Sequence, residues 1–246
     1  MAKIRLDKYL ADMGLGTRTE VKKMIKKGQI TVNSEIICAP EYKTDTQTDQ
    51  VYADGQMVSY ANYEYYMLNK PQGVVSATED KREKTVLDLI LSKKRKDLFP
   101  VGRLDKDTEG LLLITNDGEL AHQLLSPKKH VDKTYVTRLL KSLLLEDAKK
   151  LEIGVDIGEQ ELTLPAKVNL LNAEGTEVQI TIQEGKFHQV KRMFQAVGNQ
   201  VVFLKRISMG SLMLDKELRP GEYRLLTQEE IMRLKEHART DKSSDF

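Results

Sequence analysis

Only one cysteine, Cys38, occurs in 246 residues, so no disulfide can form within the chain. The four histidines, His122, His130, His188 and His237, stand at spacings that close no zinc site, and no metal is expected. Long apolar runs are missing too. None approaches the roughly 20 residues of a membrane span, and Met1 to Asp7 lacks the apolar core of a signal peptide. The expectation is a cytoplasmic protein without a membrane partner, in which Cys38 is a small packed hydrophobe. A net charge of +2 is too small by itself to indicate nucleic acid.

What is present is an apolar content of 40%, enough for one moderate core and a small satellite domain. The charge is also unevenly spread. Residues 1 to 32 carry eight Lys or Arg (Lys3, Arg5, Lys8, Arg18, Lys22, Lys23, Lys26, Lys27) against three acids, whereas residues 33 to 60 carry only Lys43 against five. Leu6, Tyr9, Leu10 and Met13 form one helical face that Gly14 ends. A second helix starts at Thr17, with Glu20 completing a capping box. It turns Val21, Met24 and Ile25 inward and Lys22, Lys23, Lys26 and Lys27 outward, and Gly28 ends it before the short strand Ile30 to Val32. A solvated lysine face is the ordinary explanation of such a pattern. The asymmetry of charge favours phosphate contacts instead, with Arg5, Arg18 and the four lysines giving affinity and little sequence information.

A polar segment, Tyr42 to Gly55, separates this module from the remainder of the chain, and the expected domains are 1–59, 60–237 and a polar tail at 238–246. In the second domain, strands are predicted at Tyr63 to Asn69, Leu111 to Thr115, Lys133 to Leu139, Glu177 to Gln183 and Val201 to Ile207. Helices are predicted at Thr85 to Leu91, Leu144 to Ile153, Phe187 to Val197 and, after the cap Thr227, Glu229 to His237. Lys93 to Lys96 reads as a solvated loop. The fold class is α+β, with a twisted, mainly antiparallel sheet flanked by helices.

The chemistry concentrates in Gly102-Arg103-Leu104-Asp105-Lys106-Asp107-Thr108, a polar loop feeding the apolar strand Leu111 to Thr115. Loops beside rigid strands are where catalytic groups collect. The plain alternative is a charged approach to a hairpin closed by Asn116-Asp117-Gly118. Gly102-Arg103-Leu104-Asp105 with Asp107-Thr108 and Gly110-Leu111 resembles the catalytic loop of the pseudouridine synthases that act on ribosomal RNA. Lys133-Thr134-Tyr135-Val136 is similar to that family's tyrosine motif, and Glu184 to Phe194 to its third motif. Leu125 to His130 and Pro220 to Arg224 resemble the small-subunit branch. The likeness covers nearly the whole chain, its motifs in order, and the N-terminal module resembles the alpha-L RNA-binding domain.

The resemblance implies isomerisation of uridine to pseudouridine in ribosomal RNA, with 16S RNA or an assembling small-subunit particle as partner, and a monomer is expected. Breaking the bond from ribose to a ring nitrogen and rejoining through a ring carbon conserves atoms, so no cofactor is implied. Asp105 would be the nucleophile; attack on the base, attack on the anomeric carbon and an elimination route all stay open. Asp107 is the rival carboxylate and is read as shaping the loop. A carboxylate in a closed site needs a cation to stay ionised, and Lys191 aligns with the basic residue the family pairs with it, where many relatives have Arg. Tyr135 would stack on the extruded uracil and assist proton transfer through its hydroxyl. Arg103 would brace the space it leaves, Arg192 would reach phosphate, and Leu104 reads as core. Two other readings are a non-catalytic RNA-binding assembly factor, which the trio Asp105, Tyr135 and Lys191 argues against, and a hydrolase pairing Asp105 with Asp107, which would release free uracil.

Overall fold

The computed structural model describes residues 3–60 and 63–239. These divide into two compact units, one of the described residues up to Glu64 together with Leu91–Leu98, the other of Tyr65–Ile90 and everything from Phe99.

In the N-terminal unit, helix α1 (Leu6–Asp12) and helix α2 (Arg18–Lys26) enclose Leu6, Tyr9, Leu10, Val21 and Ile25. The capping box forms as the sequence requires: Glu20 N–H donates to Thr17 Oγ1 at 3.3 Å and Thr17 N–H to Glu20 Oε2 at 2.6 Å. Strand β1 (Lys3–Arg5) pairs with β4 (Lys43–Asp45), and a second sheet runs β3 (Glu35–Ile36), β2 (Ile30–Val32), β5 (Val51–Ala53), β6 (Gln56–Met57). Three sequence expectations fail in this unit. Tyr42 to Gly55 is not a bare polar spacer, since it supplies β4 and β5, and Val51 and Ala53 join the core; strands of three residues are too short for alternation to reveal. Cys38 is exposed rather than packed. Arg95, expected in a solvated loop, is buried, paired with Asp97 and Asp12, and lies with its guanidinium carbon 5.2 Å from the Tyr60 ring centroid. Partners distant in sequence remove it from water.

The larger unit is built on one sheet in the order β11 (Lys167–Leu170), β12 (Glu177–Ile182), β10 (Lys133–Leu139), β13 (Val201–Met209), β9 (Glu109–Thr115), β7 (Tyr65–Lys70), β15 (Tyr223–Leu225). Strand β14 (Leu212–Met213) pairs with β13, and β8 (Phe99–Pro100) with β9. Every pairing in this sheet is antiparallel except β13 with β9, which is parallel. Leu111 to Ile114 are all buried because this central strand is covered on both faces. The α+β class and the N-terminal helical module agree with the sequence reading.

Local chemistry differs in places. Asn116-Asp117-Gly118 does not close a hairpin. Asp117 accepts from Leu120 N–H at 3.0 Å and from Tyr65 Oη at 2.7 Å, capping helix α3 (Gly118–Leu125), whose Leu120, Ala121 and Leu124 enter the core. An Asp-Gly pair serves as a helix N-cap as readily as a turn, and burial decided between them. Thr85 to Leu91 yields only one 3-10 turn, Val86–Leu89. Helix α4 spans Leu145–Ile153, α5 spans Gln189–Ala196 and α6 spans Gln228–Arg239. Helix α5 starts two residues later than expected because His188 is left-handed, at φ +48°. Ala238 packs in the core, and residues 240–246 of the expected tail lie outside the described residues.

Candidate active site

The loop before β9 is bolted down through its main chain. Lys70, at the end of β7 and fully buried, donates from Nζ to the carbonyls of Asp105 and Thr108 at 2.9 Å each, and of Pro71 at 3.0 Å. Ser76 Oγ donates to Leu104 O at 2.8 Å, and Gly73 N–H to Lys106 O at 2.8 Å. Burial draws the Lys70 pKa down to about 8, against the opposing pull of Asp107, Asp105 and Glu109. The loop leaves through Gly110, at φ +104°, where a Cβ would lie 2.2 Å from the Arg206 carbonyl oxygen. Only glycine lets β9 approach β13 this closely.

The side chains carried by this loop meet α5. Lys191 Nζ lies 2.9 Å from Asp105 Oδ2 and 2.6 Å from Asp107 Oδ1, bridging both carboxylates. Val190, Met193 and Phe194 anchor the helix in the core, which fixes the lysine's direction. Burial works against the charge on Lys191, but the hydrogen bonds to Asp107 and Asp105 outweigh it and raise its pKa. The hydrogen bond from Lys191 in turn lowers the pKa of Asp107. The two carboxylates differ in setting: the Asp105 side chain is 26% exposed and faces a cleft, while that of Asp107 is 71% exposed.

The cleft is lined by Arg103, Asp105, Tyr135, His188 and Lys191, among others. Tyr135 comes from β10, buried, in register with Ile180 of β12 and Arg206 of β13. Arg206 is itself buried and donates from Nε to Leu111 O at 2.8 Å, tying β13 to β9 beneath the cleft. Leu104 is buried, as expected. Of the residues singled out in sequence, then, Asp105, Lys191, Tyr135 and Arg103 come together around one cleft, and Asp107 reaches it only through Lys191. Arg192 does not join them. Its guanidinium is engaged by Glu159 at 2.8 Å and by the carbonyls of Phe187, at 3.0 Å, and Ile157. These contacts brace the 157–159 segment and leave the expected phosphate contact without a free fork.

Two residues that hold the loop or line the cleft escaped the sequence reading. Lys70 looked like the polar end of a strand. His188, whose Nε2 stands 3.4 Å from Asp105 Oδ1, carried no signal beyond its place in the third motif.

In the N-terminal unit, Arg18, Lys22, Lys23, Lys26 and Lys27 are exposed on or beside α2. Arg5 and Lys22 share the buried Asp7, at 3.0 and 3.8 Å, so part of their charge is met internally. Arg5, Lys22 and Lys26 line an open concavity with Pro40 and Glu41.

The family model described as RNA pseudouridylate synthase matches residues 64–196, and that of the S4 domain matches residues 4–49. An uncharacterized RNA pseudouridine synthase of Bacillus subtilis is 51% identical over 95% of this chain and 99% of its own length. The ribosomal small subunit pseudouridine synthase A of Vibrio vulnificus is 45% identical over 93% of this chain and 98% of its own. A crystal structure of a pseudouridylate synthase, 39% identical, superposes with a TM-score of 0.67 over 94% of this chain and 99% of that one.

Proposed function

The chain belongs to the RNA pseudouridylate synthase family, with an N-terminal S4 domain, and from that premise we propose that it isomerises one uridine of small-subunit ribosomal RNA, using Asp105 as nucleophile on a flipped base. The observation that carries the reading is the ion pair of Lys191 with Asp105 inside a cleft that also holds Tyr135. Asp105 faces the cleft and Asp107 faces solvent, which supports Asp105 as the attacking group and Asp107 as a second holder of Lys191.

In the reaction, the bond from the ribose anomeric carbon to the uracil ring nitrogen breaks. The base turns, a bond forms to a ring carbon, the hydrogen on that carbon leaves to water as a proton, and the freed ring nitrogen takes up a proton from water. Asp105 serves as a nucleophile able to leave again; Lys191 sets a cation 2.9 Å from it. Stacking on Tyr135 contributes about 1 to 3 kcal/mol, comparable with the few kcal/mol that unstacking and flipping require. Arg103 braces the vacated space. The S4 domain holds the RNA backbone through Arg5, Arg18, Lys22, Lys23, Lys26 and Lys27, and Arg192 braces its own segment. The choice of small-subunit RNA rests on the relative from Vibrio vulnificus, whose name carries that substrate.

Two measurements test this. Pseudouridine mapping in ribosomal RNA from cells with and without the protein should show one small-subunit uridine that depends on it. In a tritium-release assay, Asp105→Asn should abolish turnover with RNA affinity kept within a few fold, while Asp107→Asn stays active. Equal loss in the two variants, or activity in Asp105→Asn, would remove Asp105 from its role.

A further inference from the structure

An isolated exposed apolar side chain needs no explanation, but Phe187 is not isolated. Its ring, in a residue 71% exposed, stacks on the His188 ring with centroids 3.8 Å apart and planes 21° from parallel. His188 lines the catalytic cleft, with Nε2 beside Asp105, whereas Phe187 stands one ring outside that lining. The arrangement is held by the backbone: His188 adopts φ +48°, which non-glycine residues rarely do, and the Phe187 carbonyl accepts from Arg192. Arg103 lines the same cleft and is exposed, while the other two lysines of the lining are met by acids, Lys191 by Asp105 and Asp107 and Lys186 by Glu184 at 3.7 Å. An exposed aromatic face, fixed beside a cleft that carries an exposed arginine, has the composition of a single-stranded nucleic-acid platform.

We propose that Phe187, backed by His188, forms a second base-binding subsite that stacks one nucleobase adjoining the target uridine. Flipping a base strips its neighbour of a stacking partner, and Phe187 replaces it one ring and one polar contact away from Asp105. The subsite discriminates little between bases, because every base has a π face, and it favours target uridines in single-stranded or easily opened RNA. The inference rests on the cleft being the uridine site.

The test uses the full-length protein and short single-stranded RNA spanning the mapped uridine, with each neighbour in turn made abasic or replaced by 2-aminopurine. Phe187→Ala should lower kcat/KM about ten-fold, mostly through KM, by loss of one stacking contact; Phe187→Tyr should restore it. One abasic neighbour should cost the wild type a similar factor and cost Phe187→Ala nothing more. The 2-aminopurine at that neighbour should be quenched on binding to wild type and not to Phe187→Ala. Additive losses, an unchanged Phe187→Ala enzyme, or quenching independent of Phe187 would overturn the subsite. If the wild type modifies no uridine in any ribosomal RNA, the functional reading fails instead, and the quenching arm still decides whether Phe187 stacks on RNA. Circular dichroism of the Ala variant separates misfolding from either result, and Phe187→Tyr still reports if the Ala variant misfolds.

Discussion

Replacing Lys70 by methionine should destabilise the protein by an amount that grows with pH. The stem stays and the ammonium goes, so the carbonyls of Asp105 and Thr108, each 2.9 Å from Nζ, lose their donor. Leaving buried acceptors unsatisfied costs about 1 to 3 kcal/mol, and we expect a loss of about 2 kcal/mol near neutral pH. The pH dependence comes from burial. Lys70 titrates at about 8 in the folded protein against 10.5 for a free lysine, so between those values the unfolded chain binds the extra proton. Wild-type stability from this group is therefore lowest below about pH 8 and rises towards about pH 10.5, the direction that linkage requires. At 1.36 kcal/mol per pKa unit, going from about pH 7 to about pH 9.5 relieves the wild type of about 2 kcal/mol. The neutral amine still has two N–H groups for the bonds to Asp105 and Thr108 and gives up the one to Pro71, whereas the methionine variant has no proton to shed. The gap between the two proteins in urea unfolding should widen from about 2 to about 4 kcal/mol over that range. A gap that stays constant, closes, or is absent at neutral pH would refute the account of Lys70 as a buried, proton-shedding brace. Because the same bonds position Asp105, kcat should fall more than KM rises.

Lys191→Met removes the cation that both carboxylates share and should lower kcat at least about ten-fold in the tritium-release assay; Lys191→Arg should keep substantial activity, and wild-type turnover in Lys191→Met would take the residue out of the proposed mechanism. Neutralising Lys22, Lys23, Lys26 and Lys27 together should weaken binding to ribosomal RNA and flatten log K against log salt by about 0.7 to 0.9 per lost phosphate contact. Lys22 should contribute least, because Asp7 already holds it at 3.8 Å; wild-type affinity and slope in the quadruple variant would move the RNA anchor elsewhere.

The amino-acid sequence by itself determined the elements whose signals are local. Helix α2 is announced by Thr17, Glu20 and the inward Val21 and Ile25, because a cap and a stripe involve only neighbours in the chain. The alternation of Val178, Ile180 and Ile182 marks β12 for the same reason. The motif order around Asp105, Tyr135 and Lys191 was legible as a resemblance, though not the geometry joining them. Tertiary structure alone decided that Tyr65 holds Asp117, that Arg95 is buried, that Arg192 turns inward to Glu159, and that Lys191 serves two carboxylates. Each of these outcomes depends on partners remote in sequence, as Lys191 stands 84 residues from Asp107 and Lys70 stands 35 from Asp105. A lysine's identity says that it carries a proton; only the groups packed around Lys70 turn that proton into a lever on the loop that carries Asp105.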